Sequence, residues 1–216
     1  MSYTGEVVVD GPAQTRELPA LIISKVAVGP YNNNCYLLRC RRTDDQLLID
    51  AADEPEVLTA LIGSNGLATV VTTHRHGDHW QALPAVVVAT GAKTVAHPLD
   101  APELPVDTDV LVDHGATVAV GDVTLEVIHL RGHTPGSIAL LYDDPEGTPH
   151  LFTADSLFPG GVGKTTPDTF PQLFADVNER IFERLPDETW FYPGHGNDST
   201  LGAERPHLAE WRSRGW

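Results

Sequence analysis

The stretch THRHGDHW, residues 73–80, gathers His74, His76 and His79 around Asp78 in a chain that has only ten histidines. No other feature constrains the fold as strongly. Imidazole and carboxylate are nitrogen and oxygen donors suited to zinc and similar divalent ions, and they must be presented where they can converge. The stretch follows the β-branched run ATVVTT (68–73), so it lies where a strand ends before the next helix. In a tight turn at that point alternate side chains can converge. His74 and His76 can then serve one ion and Asp78 and His79 a neighbouring one, while Gly77 lets the backbone bend.

One short motif cannot fill two coordination spheres, so further donors are expected at other strand ends. LRGHTPGS places His133 in a glycine- and proline-rich turn after VTLEVIHL. LFTADSLF ends a strand at Asp155, and FYPGHGND sets His195 between two glycines. Strand tips are where functional loops are presented. His97, His114, His129, His150 and His207 have no such context and are expected to pack, cap or face solvent. His129, inside a strand-like run, is expected to pack or hydrogen-bond.

The remaining pattern is short apolar runs separated by turn residues. The first set is LIISKVAV (21–28), CYLLRC (35–40), QLLID (46–50) and ATVVTT. The second is ATVAV (116–120), VTLEVIHL (123–130), SIALLYD (137–143), HLFTAD (150–155) and TWFYP (189–193). Helical spacing is confined to PEVLTALIGSNG, to residues 80–90 up to Gly91, and to PQLFADVNERIFERL with Asp168 or Thr169 as cap. Many strands and few helices predict a layered α/β fold. With no linker or repeat, residues 1–216 read as one domain.

Charge narrows the partners. Thirty acidic against 14 basic residues give a net charge of −16, a field that repels nucleic acid. No apolar run approaches the ~18 residues of a membrane span, and MSYTGEVVVD lacks the pattern of a signal peptide. Cys35 and Cys40, five positions apart, should point to opposite faces of a strand and not bridge. A soluble cytoplasmic protein with a small-molecule partner is expected, its oligomeric state left open.

Taken in order, THRHGDH, GHTPGS, TADSLF and PGHG resemble the signature motifs of the metallo-β-lactamase superfamily, from about Tyr31 to His195. The resemblance implies a four-layer αβ/βα sandwich with the metal site at one edge of two packed sheets. It implies His74, His76 and His133 on a first divalent ion, Asp78, His79 and His195 on a second, and Asp155 bridging both. The ions would be zinc, with iron or manganese as alternatives. Many β-lactamases of the superfamily have a cysteine ligand where this chain has Asp155. Its diiron electron-transfer members have glutamate where this chain has His76.

DSLFPGGVGKTTPDTF resembles the loop after the bridging aspartate in glyoxalase II, hydroxyacylglutathione hydrolase, and PGHGNDSTLGAER resembles the ending of short proteins like it. Ala154 stands where a glycine is usual. The resemblance implies a metal-dependent thioester hydrolase that uses a metal-bridging hydroxide, with Asp78 as catalytic residue and Lys164 gripping a substrate carboxylate. A persulfide dioxygenase-like enzyme with a single iron, a lactonase, and a non-catalytic metal-binding domain are the alternatives. GGVGKTT is not a phosphate-binding P-loop: Phe158 occupies the position of its first glycine, and Pro167 follows where a helix would have to begin.

Overall fold

The structure is a computed structural model that describes residues 3–215. The first half of the chain builds a seven-stranded sheet in sequence order: β1 (Gln14–Glu17), β2 (Leu21–Val28), β3 (Asn33–Cys40), β4 (Gln46–Ile49), β5 (Thr69–Val71), β6 (Lys93–Ala96) and β7 (Val110–Leu111). β1 to β4 pair antiparallel through tight turns, whereas β4 to β7 are parallel. Parallel pairing needs a crossover. Two short helices supply the first two, α1 (Pro55–Ile62) between β4 and β5 and α2 (Leu83–Thr90) between β5 and β6, and residues 97–109 make the third.

The second half builds β8 (Thr117–Val120), β9 (Val123–His129), β10 (Ile138–Tyr142) and β11 (His150–Ala154), then a small hairpin, β12 (Leu157–Phe158) and β13 (Gly161–Val162). After α3 (Phe170–Val177) the chain returns as β14 (Trp190–Pro193) and β15 (Ser199–Thr200), and it ends in α4 (Leu201–Glu204) and α5 (Leu208–Arg214). The six-stranded sheet runs β15-β14-β11-β10-β9-β8, and its one parallel pair, β11 with β14, is the one whose crossover carries α3.

Side-chain alternation sorts the core into three interfaces, which fixes four layers. Ile23, Leu38, Leu47, Val71, Leu125, Leu140, Phe152 and Tyr192 meet between the two sheets. The opposite parity, Val28, Leu37, Leu48 and Val70, packs under Leu58, Ile62, Leu83 and Val86 of α1 and α2. Ile128, Leu141, Leu151 and Phe191 pack under Leu173, Phe174 and Val177 of α3, with Trp211 of α5. Cys40 lies in the first cluster and Cys35 in the second, both free, as their odd spacing requires.

The strands differ from expectation mainly where they are short. KTVA and Val110–Leu111 are strands of four and two residues, too brief to show periodicity, and α4 and α5 carry few apolar positions. α2 starts at Leu83, with Pro84 in its first turn, where a missing N–H costs nothing. The helix expected from Pro171 to Leu185 is α only to Val177 and then widens into a π-turn over Asn178–Phe182. Among the described residues, no helix is long and apolar enough to cross a membrane.

Candidate metal centre

The carboxyl ends of β4, β5, β9, β11 and β14 reach one rim, as ligand-bearing loops do in α/β sheets. The two sheets are tied there by backbone hydrogen bonds from Ile138 N–H to Thr73 O (3.0 Å) and from Asn34 N–H to Gly194 O (2.7 Å). His74, His76, Asp78 and His79 enter from β5, whereas His133, Asp155 and His195 enter from the opposite sheet.

These seven side chains converge. The rings of His74, His76 and His133 have centroids 4.5–4.9 Å apart. Asp78, His79 and His195 form a second group, with Asp78 Oδ2 3.7 Å from His79 Nε2 and 3.5 Å from His195 Nε2. Asp155 stands between the groups. Its Oδ1 is 3.3 Å from His79 Nε2, and its Oδ2 is 3.6 Å from His133 Nε2 and 3.5 Å from His195 Nε2. Two donors ~2.1 Å from one ion in tetrahedral arrangement lie ~3.4 Å apart, so these spacings suit shared coordination.

Hydrogen bonding orients the rings. Thr73 Oγ1 donates to Asp50 Oδ2 at 2.8 Å and so can only accept from His74 Nδ1, at 3.1 Å. His79 Nδ1 donates to Asp50 Oδ2 at 2.8 Å, His133 Nδ1 to Lys164 O at 2.8 Å, and His195 Nδ1 to Tyr31 O at 3.0 Å. In all four rings the proton is committed outward on Nδ1, leaving the Nε2 lone pair facing inward, the arrangement metal-ligating histidines use. His74 Nε2, His79 Nε2, His133 Nε2 and Asp155 Oδ1 are buried without a hydrogen-bond partner. Buried polar atoms are ordinarily paired. Four orphans at one rim fit divalent cations as the missing partners.

The electrostatics agree. Burial, reinforced by the neighbouring His79, holds His74 neutral, and burial also lowers His76 and His133. For His79 burial acts downward too, but Asp155 and Asp50 outweigh it and push the ring up to about 10. Asp155 is held well below the usual carboxylate range: burial opposes this, and contacts from His195 and His79 prevail. A coordinated cation would balance the same carboxylates and leave His79 neutral.

Backbone shape fits around Asp155. Ala154 has a φ of +44°, a region that favours glycine, at an irregularity in the β11–β14 register. A Cβ on Gly163 would lie 1.7 Å from Asp155 O. Lys164 is exposed and lines a cleft of about 590 Å³ over His76 and His133. Arg75 and Arg131 line it too, but Arg131 is held by Asp176 (2.6 Å) and Arg75 by Glu103 (3.4 Å). Among the described residues, no carboxylate pairs with Lys164.

Sequence reasoning missed the supports. Asp50, read only as a strand end, accepts three hydrogen bonds, from Thr73 N–H, Thr73 Oγ1 and His79. Asn33, which lies between the runs LIISKVAV and CYLLRC, donates to Asp78 Oδ2 at 3.0 Å. Buried Asp100 accepts from Arg75 N–H, Thr134 Oγ1 and Gly136 N–H, joining the first histidine turn to the turn that carries His133. A polar residue closing an apolar strand was the available signal for Asp50. For Asp100 there was none.

His97, Asp113 and His129 also bring donor atoms within 4.8 Å of one another. Here the hydrogen bonds argue against an ion. His97 Nδ1 accepts from Leu99 N–H (3.2 Å), so its proton sits on Nε2 and is donated to Asp113 (3.2 Å). That nitrogen has no lone pair to offer.

The pattern of the Metallo-beta-lactamase superfamily matches residues 28–195. Hydroxyacylglutathione hydrolase from Polaromonas sp. is 35% identical over 179 residues, 81% of this chain and 66% of that protein. Its counterpart from Fuscovulum blasticum is 34% identical over 165 residues, 76% of this chain and 62% of its own length. The chain thus spans about two thirds of the length of these curated relatives. Among solved structures, ETHE1 from Myxococcus xanthus aligns with a TM-score of 0.77 at 27% identity, covering 88% of this chain and 84% of that one. TTHA1623 in a di-iron-bound form aligns with a TM-score of 0.70 at 33% identity, covering 84% and 96%.

Proposed function

The chain belongs to the metallo-beta-lactamase superfamily, and on that premise we propose that it is a dinuclear metal-dependent hydrolase of thioesters, similar to glyoxalase II. The observation that carries the reading is the convergence of seven donors with four orphaned buried atoms among them. The hydroxyacylglutathione hydrolases at 34–35% identity support the choice of a thioester.

In this reading His74, His76 and His133 would hold one ion and Asp78, His79 and His195 the other, with Asp155, placed between the two groups, available to either. Zinc is the first choice, with iron or manganese as alternatives. When bound, such ions polarise a carbonyl and bring the pKa of water towards about 7. The protein supplies the rest. Asn33 pins Asp78 by its Oδ2, so the carboxylate is oriented to hold a proton of the attacking water. Asp50 fixes the tilt of His79 and, through Thr73, of His74. A thiolate leaves without a separate acid. Lys164, at the cleft mouth, meets a carboxylate on the thiol half of the substrate.

The test is elemental analysis of the purified protein, followed by a panel of S-acyl thiols and lactones on protein loaded with zinc, manganese or iron. Hydrolysis of thioesters at two ions per chain is expected. Lys164→Ala should raise KM roughly two- to fivefold for carboxylate-bearing thiols and leave neutral thioesters unchanged, the scale of an exposed charge contact. Failure to hydrolyse any of them would overturn the reading. A second reading, persulfide oxidation at a single iron, draws on the first triad being complete by itself. One iron per chain with oxygen uptake would establish it instead.

A further inference from the structure

Beneath the turn that carries His195 lies a charge pair that neither the sequence motifs nor the donor set explains. Lys25 points from β2 into the space between the sheets and is fully buried. Its ammonium donates to Gly5 O at 2.7 Å, Gly196 O at 2.8 Å and Asp198 Oδ1 at 2.7 Å, which uses all three of its protons. The Asp198 side chain is equally buried, and its other oxygen accepts from Tyr3 Oη at 2.6 Å and Trp190 Nε1 at 3.0 Å.

Stability alone is a poor reason for such a pair, since apolar residues of the same volume often serve as well. Its distinctive output is geometric. Gly196 O lies one residue beyond His195, and the same carbonyl accepts from Asn34 Nδ2 at 2.9 Å. Asn34 Nδ2 also holds Pro193 O at 2.9 Å, Tyr36 Oη holds Pro193 O at 2.6 Å, and Asn34 N–H holds Gly194 O at 2.7 Å. The carbonyls of Pro193, Gly194 and Gly196, which bracket His195, are therefore held by donors from β2 and β3. The hydrogen bonds of the Lys25 and Asp198 side chains run to Gly5, Gly196, Tyr3 and Trp190, and none reaches His74, His76 or His133.

We propose that Lys25, with Asp198 as its counter-ion, is a positioning residue for His195. It sets the affinity for the second divalent ion and leaves the first untouched. The proposal rests on the two-ion reading above.

The test counts ions and does not rely on turnover. Wild-type chain and the double variant Lys25→Met, Asp198→Asn, which avoids stranding a buried carboxylate, are stripped with chelator and titrated with Zn²⁺ against a chromophoric chelator. Wild type is expected to bind two equivalents. The variant should keep the first affinity within about twofold and lose roughly 10–100-fold in the second, the usual cost of removing an outer hydrogen-bond partner. Asn34→Ala, which leaves the ion pair intact and removes the neutral donor to the same carbonyl, should show a smaller loss of the same selectivity. It serves also if the double variant does not fold. Variants that keep both affinities, or lose both equally, overturn the assignment while the two-ion reading stands. A wild type that binds one equivalent overturns that reading itself, and the proposal with it.

Discussion

Gly194 passes so close to Asp155 that a Cβ on it would lie 2.1 Å from Oδ1, and 2.9 Å from His79 Cε1. The backbone cannot retreat, because Gly194 N–H is bonded to Ala154 O (2.9 Å) and Gly194 O to Asn34 N–H (2.7 Å). Gly194→Ala is therefore expected to swing the Asp155 carboxylate out of line. Metal affinity should fall by more than about a hundredfold, the upper end of what a displaced partner costs. Overpacking of about 1–3 kcal/mol leaves the metal-free fold intact. Chelator competition, read beside thermal melting of the stripped protein, checks both halves. Unchanged affinity would sink the idea.

Asp50 offers a milder probe of the same floor. All three of its contacts come from donors, so the amide of Asp50→Asn must turn an N–H toward one of them. The φ of +58° at this position suits asparagine, so no backbone penalty confuses the result. Metal affinity is expected to drop roughly 10–100-fold, and an Asp50→Asn protein that titrates like wild type refutes the orienting role.

Ala154 stores strain beside the bridging position. An L-residue in the left-handed region costs about 1–2 kcal/mol, part of which Gly returns through its looser unfolded state. Ala154→Gly should stabilise the protein by about 0.5–1 kcal/mol, a rise of roughly 1–4 °C in Tm for a chain of this size. A lower Tm would show that the methyl group contributes packing worth more than the strain.

His150, buried at the start of β11, links stability to pH. Burial first, and then the charge of Arg16, push its pKa down to about 4. Its Nδ1 accepts from Tyr192 Oη at 2.9 Å, a role only the unprotonated nitrogen can play. Unfolded, the ring protonates near 6.5. Between pH 6.5 and about 4 the unfolded chain binds more protons. The contribution is thus complete above 6.5 and is lost as pH falls through that window, by up to about 3 kcal/mol. His150→Gln in stripped protein should flatten the dependence of the urea midpoint between pH 7.5 and 5. Equal slopes in the two proteins would contradict the assignment.

The donors were legible because they follow strand-like runs, and His133 and His195 are also set in glycine turns. The layers were legible because many strand-like runs alternate with few helical ones, and because four motifs in order resemble a family with a four-layer sandwich. What stayed hidden depends on contacts far apart in sequence. Nothing local marks Asp100 as the residue that binds Thr134 and Gly136, or Lys25 as the partner of Asp198 across 173 positions. Strands β6 and β7 are too short to establish a period, and the π-turn after α3 lies in a helical run whose apolar spacing looks unbroken.

Four of the donors ride on one sheet and three on the other, so an ion seated among them belongs to neither half. It acts as a clasp across a seam, and its hold reports how the two sheets lie against each other. A substitution deep in that seam, far from any histidine, that slid one layer past the other by a fraction of an ångström would register first as a change in metal retention. Stripping the metal, in turn, should loosen the seam at this hem before either sheet melts.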